Sequence, residues 1–276
     1  MPVSVTSGHT ADSALAADPA QVAAARHAFS SPERVPLTAQ EQAALAGHAE
    51  PPLRHEGLKL ARWTFGQGPR VVFVHGWNSR GAHGLGFVAP LVEAGFSVTL
   101  FDLPGHGDST GHVCSVVHAG RALRALLADA GTAHGVIGHS MGSAASLLAF
   151  AHGGAVTRSV HLAGPSSLTP MVKGLARAHG LGPADAAAFA GWVEGFIGTR
   201  IALVDLDRLQ HGLVHPGLIL HDPEDRTVPF AASEALHDAW PASQLERTAG
   251  LGHRRLLADA AVIARSVAFI SQGRTA

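Results

Sequence analysis

Apolar runs of four or five residues recur along this chain, and each breaks into a loop of Gly, Pro, His, Asp or Ser. The clearest is Val71 to Val74, which ends in His75-Gly76-Trp77. An apolar run without polar alternation predicts a strand buried on both faces, as in a parallel sheet. The same form returns in SVTLFDLPGHG, GVIGHSMG, RSVHLAGPS and GLILHDPED. Helix-length segments lie between them, including HAGRALRALLADAG and SAASLLAFAHGG. Strand, loop and helix in this order predict right-handed βαβ units and a doubly wound, mostly parallel α/β sheet. Ligands of such sheets bind at the carboxyl ends of the strands. The unusual polar residues of this chain fall at those ends.

The rhythm fails in two places. Residues 1–50 are rich in Ala and polar residues and read as an N-terminal extension, helical or loosely held. Within it, Pro19 to Phe29 and Leu37 to Gly47 have helical character. Thr38, with Glu41 three residues on, forms a capping-box pattern, and Gly47 is suited to end that helix. The main domain is then 51–276, with Lys59 to Phe65 as an early strand. A second break, about 166–213, reads as a small helical cap. There Phe189, Trp192, Val193, Phe196 and Ile197 repeat at helical spacing and form one apolar stripe. The stripe either packs on the core or lines an apolar pocket above the strand ends.

Composition narrows the function classes. Apolar residues make up 46% and charged residues 15%, with a formal net charge of −1. Duplex nucleic acids demand a basic surface, so nucleic-acid binding is not expected. A single cysteine, Cys114, excludes an intrachain disulfide. The first residues lack the basic and apolar regions of a secretion signal, and no apolar run is long enough to span a membrane. A cytoplasmic location is the expectation. The 19 histidines raise a metal reading. No recognisable ligand spacing accompanies them, so neither a metal nor another cofactor is expected.

The strongest chemical signal is Gly138-His139-Ser140-Met141-Gly142, set between a strand and a helix. That is the G-x-S-x-G nucleophile turn in its required context. A serine hydroxyl is a weak nucleophile and needs a base. His253 in Gly250-Leu251-Gly252-His253 follows the last predicted strand and is the candidate. The base in turn needs an anionic partner. HDPEDRTVP offers Asp222, Glu224 and Asp225. Asp225 is preferred, with Asp222 as runner-up.

The order Ser, Asp, His, with HGW, DLPGHGDS, GHSMG, HDPEDRTVP and GLGH each after a strand, resembles the α/β-hydrolase fold family from about Lys59 to Ile270. Members usually show H-G-x-x-D-x-x-V-P at the acid. Here Asp222 stands where that glycine would be, while Asp225, Val228 and Pro229 match. The resemblance implies an oxyanion hole made by the backbone N–H groups of Trp77 and Met141. It also implies that the loop Asp102 to Ser109, with Pro104, Gly105, His106 and Gly107, is architectural. A serine nucleophile argues against the dehalogenase and epoxide hydrolase branches, which use aspartate.

The expected activity is hydrolysis of a carboxylic ester, thioester or lactone through an acyl-enzyme on Ser140. The apolar stripe points to a hydrophobic small-molecule acyl substrate. Activity is expected to fall as pH drops through the range where histidine protonates, about 6.5 for a free side chain. Two other readings stay open because a fold does not fix function. One is a non-catalytic small-molecule receptor or scaffold. The other is an acyltransferase with an alcohol acceptor.

Overall fold

A computed structural model of the chain describes residues 19–129, 131 and 133–273. The expectation about a secretion signal concerns residues 1–18, outside the described residues. Eight strands form one sheet: β1 (Ala49–His55), β2 (Leu58–Phe65), β3 (Arg70–Val74), β4 (Ser97–Phe101), β5 (Ala133–His139), β6 (Val156–Leu162), β7 (Gly217–His221) and β8 (Ser243–Arg247). Their spatial order is β1-β2-β4-β3-β5-β6-β7-β8. The two pairings of β2 are antiparallel and the remaining five are parallel. The helices are α1 (Pro19–Ser30), α2 (Ala39–Leu45), α3 (Leu85–Glu93), α4 (Val116–Asp129), α5 (Met141–Ala151), α6 (Leu168–Ala178), α7 (Pro183–Ile197), α8 (Leu206–Leu209), α9 (Ala231–Asp238) and α10 (Ala260–Ser271).

The apolar runs work as the pattern predicts. In β3, Val72 and Val74 face the α4/α5 side while Val71 and Phe73 face the α3/α10 side. All four are at most 1% exposed. Alternation is hidden in the sequence because both faces are covered. From β3 the chain moves to β4 on one side, then returns to β5 on the other. The adjacent ends of β3 and β5 therefore form the topological switch point, where the loops diverge and a crevice opens.

The sheet begins earlier than the predicted first strand. Ala49–His55 forms an edge strand, antiparallel to β2 and irregular between Glu50 and Leu53. Its tandem prolines, Pro51 and Pro52, obscure the strand signal, yet an edge tolerates missing donors.

The stretch before it is helical. Thr38 caps α2 through a complete capping box with Glu41, and Gly47 takes φ 80° just beyond. Phe29 of α1 packs edge-on to Phe189, Trp192 and Phe196 of α7 at 6.1–6.4 Å. The Arg26 guanidinium lies over the Trp192 ring. Arg34 donates to the carbonyls of Gly107, Ser109 and Gly111, pinning the extension to the Asp102–Ser109 loop.

Candidate active site

Ser140 ends β5 and opens α5. It sits at φ 52°, ψ −122°, a conformation that costs a non-glycine residue of order 1–3 kcal/mol. The packing around it leaves little alternative. A Cβ on Gly142 would collide with the carbonyl oxygens of Val74 and His75, and one on Gly138 would meet the Gly142 carbonyl at 2.8 Å. Gly142 is therefore there for close approach of α5 to β3, and Gly138 for close approach of β5 to the first turn of α5. This geometry lifts the Ser140 side chain out of the strand end and toward the crevice.

His253 lies in the loop after β8, with Nε2 2.9 Å from Ser140 Oγ. Its Nδ1 is 2.7 Å from Asp225 Oδ2. A carboxylate only accepts, so Nδ1 carries the proton and Nε2 is free to accept from the serine hydroxyl. The Asp225 side chain is fully buried, and its Oδ1 accepts from the N–H groups of Thr227 and Val228 at 2.7 and 3.1 Å. Burial alone would raise this carboxyl. The hydrogen bonds from His253, Thr227 and Val228 outweigh it and hold Asp225 below the usual carboxylate range.

Of the three acidic residues in HDPEDRTVP, it is Asp225 that meets His253. Asp222 does something else. Its Oδ2 accepts from the N–H groups of Leu251 and Gly252 at 2.5 and 2.7 Å, and Oδ1 from Glu224 at 2.9 Å. The carboxylate standing where a glycine is usual thus anchors the loop that carries His253. The N–H groups of Glu224 and Gly252 outweigh its burial and, with that of Leu251, hold it below the usual range. A depressed folded pKa adds stability above the unfolded value, about 3.9 for aspartate, and that stability is lost as pH falls through the folded value. Asp222→Asn is therefore expected to cost about 2 kcal/mol at neutral pH. Urea denaturation should find the gap closing as pH drops below the usual carboxylate range.

His139 also supports this loop. Its Nε2–H donates to the His253 carbonyl at 2.8 Å, and burial pushes the His139 ring down to about 4, so it stays neutral.

The remaining predicted positions flank the serine. Met141 is the first residue of α5, so its N–H is among those with no acceptor inside the helix. Trp77 follows β3 in the turn after Gly76. His75, fully buried, accepts from the Leu103 N–H at Nε2 (3.0 Å) and donates from Nδ1 to the Gly76 carbonyl (2.8 Å), fixing that turn. The Trp77 ring rests edge-on against His106 at 5.5 Å. Burial pushes His106 down to about 4, and its Nδ1 donates to the Pro104 carbonyl, so it belongs to the loop's framework.

A cavity of about 610 Å³ opens beside Ser140, His253 and Trp77. Its far walls are residues that sequence reasoning did not assign. Gln40, Glu41 and Ala44 come from α2, Leu85 from α3, and Arg254 and Leu257 from the stretch after His253. The capping box located α2 in sequence but not its neighbours. The apolar stripe of α7 does not line this cavity. Phe189, Val193 and Ile197 are at most 1% exposed, and the aromatic face meets α1 instead. The pocket reading of the stripe is thus corrected: the extension supplied the partner that the stripe needed.

Among the described residues, no group of three or more His, Cys, Asp or Glu side chains is arranged to hold a metal ion. Nor is any described helix long and apolar enough to cross a membrane.

Comparison with known proteins agrees with this architecture. The chain superposes on an esterase of Pyrococcus furiosus with a TM-score of 0.66, at 19% identity over 87% of this chain and 98% of that one. An esterase of Exiguobacterium antarcticum gives 0.61 at 16% identity, covering 82% of this chain and 100% of the other. A bromoperoxidase of Bacillus anthracis gives 0.60 at 18% identity, covering 81% and 99%. A 46-residue stretch is 52% identical to the pimeloyl-[acyl-carrier protein] methyl ester esterase of Methylococcus capsulatus. That match spans 17% of this chain and 18% of the relative's length. The family described as the alpha/beta hydrolase fold matches residues 69–210, just over half of the sequence. The chain belongs to the α/β-hydrolase fold family.

Proposed function

We propose that the protein is a serine hydrolase that cleaves a carboxylic ester through an acyl-enzyme on Ser140. One observation carries this reading: the unbroken hydrogen-bonded run from Ser140 through His253 to Asp225, beside a cavity of substrate size. Ser140 Oγ attacks the carbonyl carbon while His253 Nε2 takes its proton. The backbone N–H groups of Trp77 and Met141 receive the developing oxyanion, each contributing roughly 3 kcal/mol of transition-state stabilisation. The bond to the leaving alcohol breaks as His253 returns the proton to it. Water then loses a proton to His253 and attacks the acyl carbon; the bond to Ser140 Oγ breaks as His253 returns that proton to Oγ, releasing the acid and restoring the free serine. The acyl group lies against Trp77, Leu85 and Leu257. A thioester or lactone follows the same path with a different leaving group.

The test is a panel of p-nitrophenyl esters of increasing acyl length, combined with a fluorophosphonate probe. Turnover of at least one ester and stoichiometric labelling of Ser140 are expected. Binding of small molecules with neither labelling nor turnover would replace this reading with that of a receptor. Transfer of the acyl group to an added alcohol in preference to water would make it an acyltransferase.

A further inference from the structure

The run of hydrogen bonds does not stop at Asp225. Asp225 Oδ2, which accepts from His253, lies 3.1 Å from His221 Nε2. His221 Nδ1 is 2.7 Å from Ser233 Oγ. His221 ends β7, four residues before Asp225, and its side chain is fully buried. Two imidazoles, one at the end of β7 and one in the loop after the neighbouring β8, therefore converge on a single carboxylate oxygen.

We propose that His221 is a positioning residue that fixes Asp225 and sets how strongly it holds His253, an inference that rests on the serine-hydrolase reading above. The protonation pattern follows from the partners. The carboxylate accepts, so His221 Nε2 must carry a proton. A neutral ring then leaves Nδ1 as an acceptor, filled by the Ser233 hydroxyl. Burial lowers the His221 pKa against the opposing pull of Asp225, which favours the neutral ring. A neutral N–H donor steadies the carboxylate without competing with the imidazolium for its charge. It also draws electron density from the oxygen that His253 uses. Losing that donor would leave Asp225 a stronger acceptor toward His253 and would stabilise the imidazolium.

The surroundings single out this contact. On the β7 side, Asp222 is committed to the N–H groups of Glu224, Leu251 and Gly252. On the β8 side, Arg247 is in register with His221, but its guanidinium lies over the Phe230 ring and beside Glu234. From α9 comes Ser233, and from the loop after β8 comes His253. The His139 ring at the end of β5 lies tilted against that of His253, centroids 5.0 Å apart, and is held neutral by burial.

The test uses three variants of the full chain, read by the kcat, KM and pH profile of ester hydrolysis. In His221→Gln the amide nitrogen reaches about as far as Nε2 and keeps a donor to Asp225. In His221→Asn the amide stops near Nδ1 and serves Ser233 alone. His221→Leu fills the space with no donor. The Asn and Leu variants are expected to lose about 10- to 100-fold in kcat with little change in KM, as misaligned catalytic groups do. The acid limb of their profile should move to higher pH. The Gln variant should stay within about 3-fold of wild type, a loss of under 1 kcal/mol and small beside the misalignment effect, with its limb unmoved. Equal losses in all three with an unshifted limb would reduce His221 to packing and overturn the proposal. So would wild-type kinetics in the Asn and Leu variants. If the Leu variant does not fold, the Gln and Asn pair carries the same comparison. Fluorophosphonate labelling of the wild type separates a failure here from a failure of the serine-hydrolase reading itself.

Discussion

Ser140→Ala is expected to lower kcat on the best p-nitrophenyl ester by about 10⁵- to 10⁶-fold and to abolish labelling by the fluorophosphonate. Alanine keeps the Cβ, so the backbone at φ 52° meets the same neighbours and the fold should be retained. The loss would then be purely chemical. The proposed oxyanion donors, the Trp77 and Met141 N–H groups, and the proposed base, His253, would remain to assist direct attack by water. Substrate binding should change little, because the cavity walls are untouched. The measurement is steady-state turnover with circular dichroism as control. Variant turnover within tenfold of wild type would place the chemistry elsewhere and remove the basis of the mechanism.

The second large effect is expected from Asp225→Asn, a kcat loss of about 10⁴-fold with the fold intact. The reason is specific to the hydrogen bonds here. The Oδ1 site accepts from two backbone N–H groups, of Thr227 and Val228, so the amide oxygen of asparagine will occupy it. Its NH₂ group then points at His253 and His221, both of which donate in the wild type. To avoid opposed donors, His253 must move its proton to Nε2. In that tautomer it cannot accept from Ser140 Oγ. Raising the pH would not rescue the variant, because the fault lies in the tautomer and not in the charge. Single-turnover kinetics across pH would check this, and a rate that recovers in alkali would contradict it.

Much of this was legible because the parallel sheet writes its interior into short apolar runs. Val71 to Val74 needs no context to read as a strand covered on both sides. The Ser140 turn was equally plain, since close approach of Gly142 to β3 and of Gly138 to the first turn of α5 leaves glycine as the usual answer at both. The choice between Asp222 and Asp225 was harder. Both are short carboxylates in one turn, and only the path of the Leu251–His253 backbone separates an anchor from a hydrogen-bond partner. His221 stood in view as the first letter of H-G-x-x-D, but a strand-end histidine gives no sign of its neighbours. The stripe of α7 was read correctly as apolar, while its partner lay about 160 residues away in α1. Local periodicity reports that a face is covered, not what covers it.

The walls of the cavity have a consequence for how such a protein would diversify. Strands β3 to β6 and the nucleophile turn fall within the portion matched by the family, residues 69–210. Gln40, Glu41 and Ala44 precede that portion, while Arg254 and Leu257 follow it. If the proposed hydrolase reading holds, substitutions at these five positions would alter which substrate fits and leave the nucleophile turn intact. Kinship judged on the common segment would then say little about diet, and two chains alike in their middle would prefer unlike substrates wherever their ends differ.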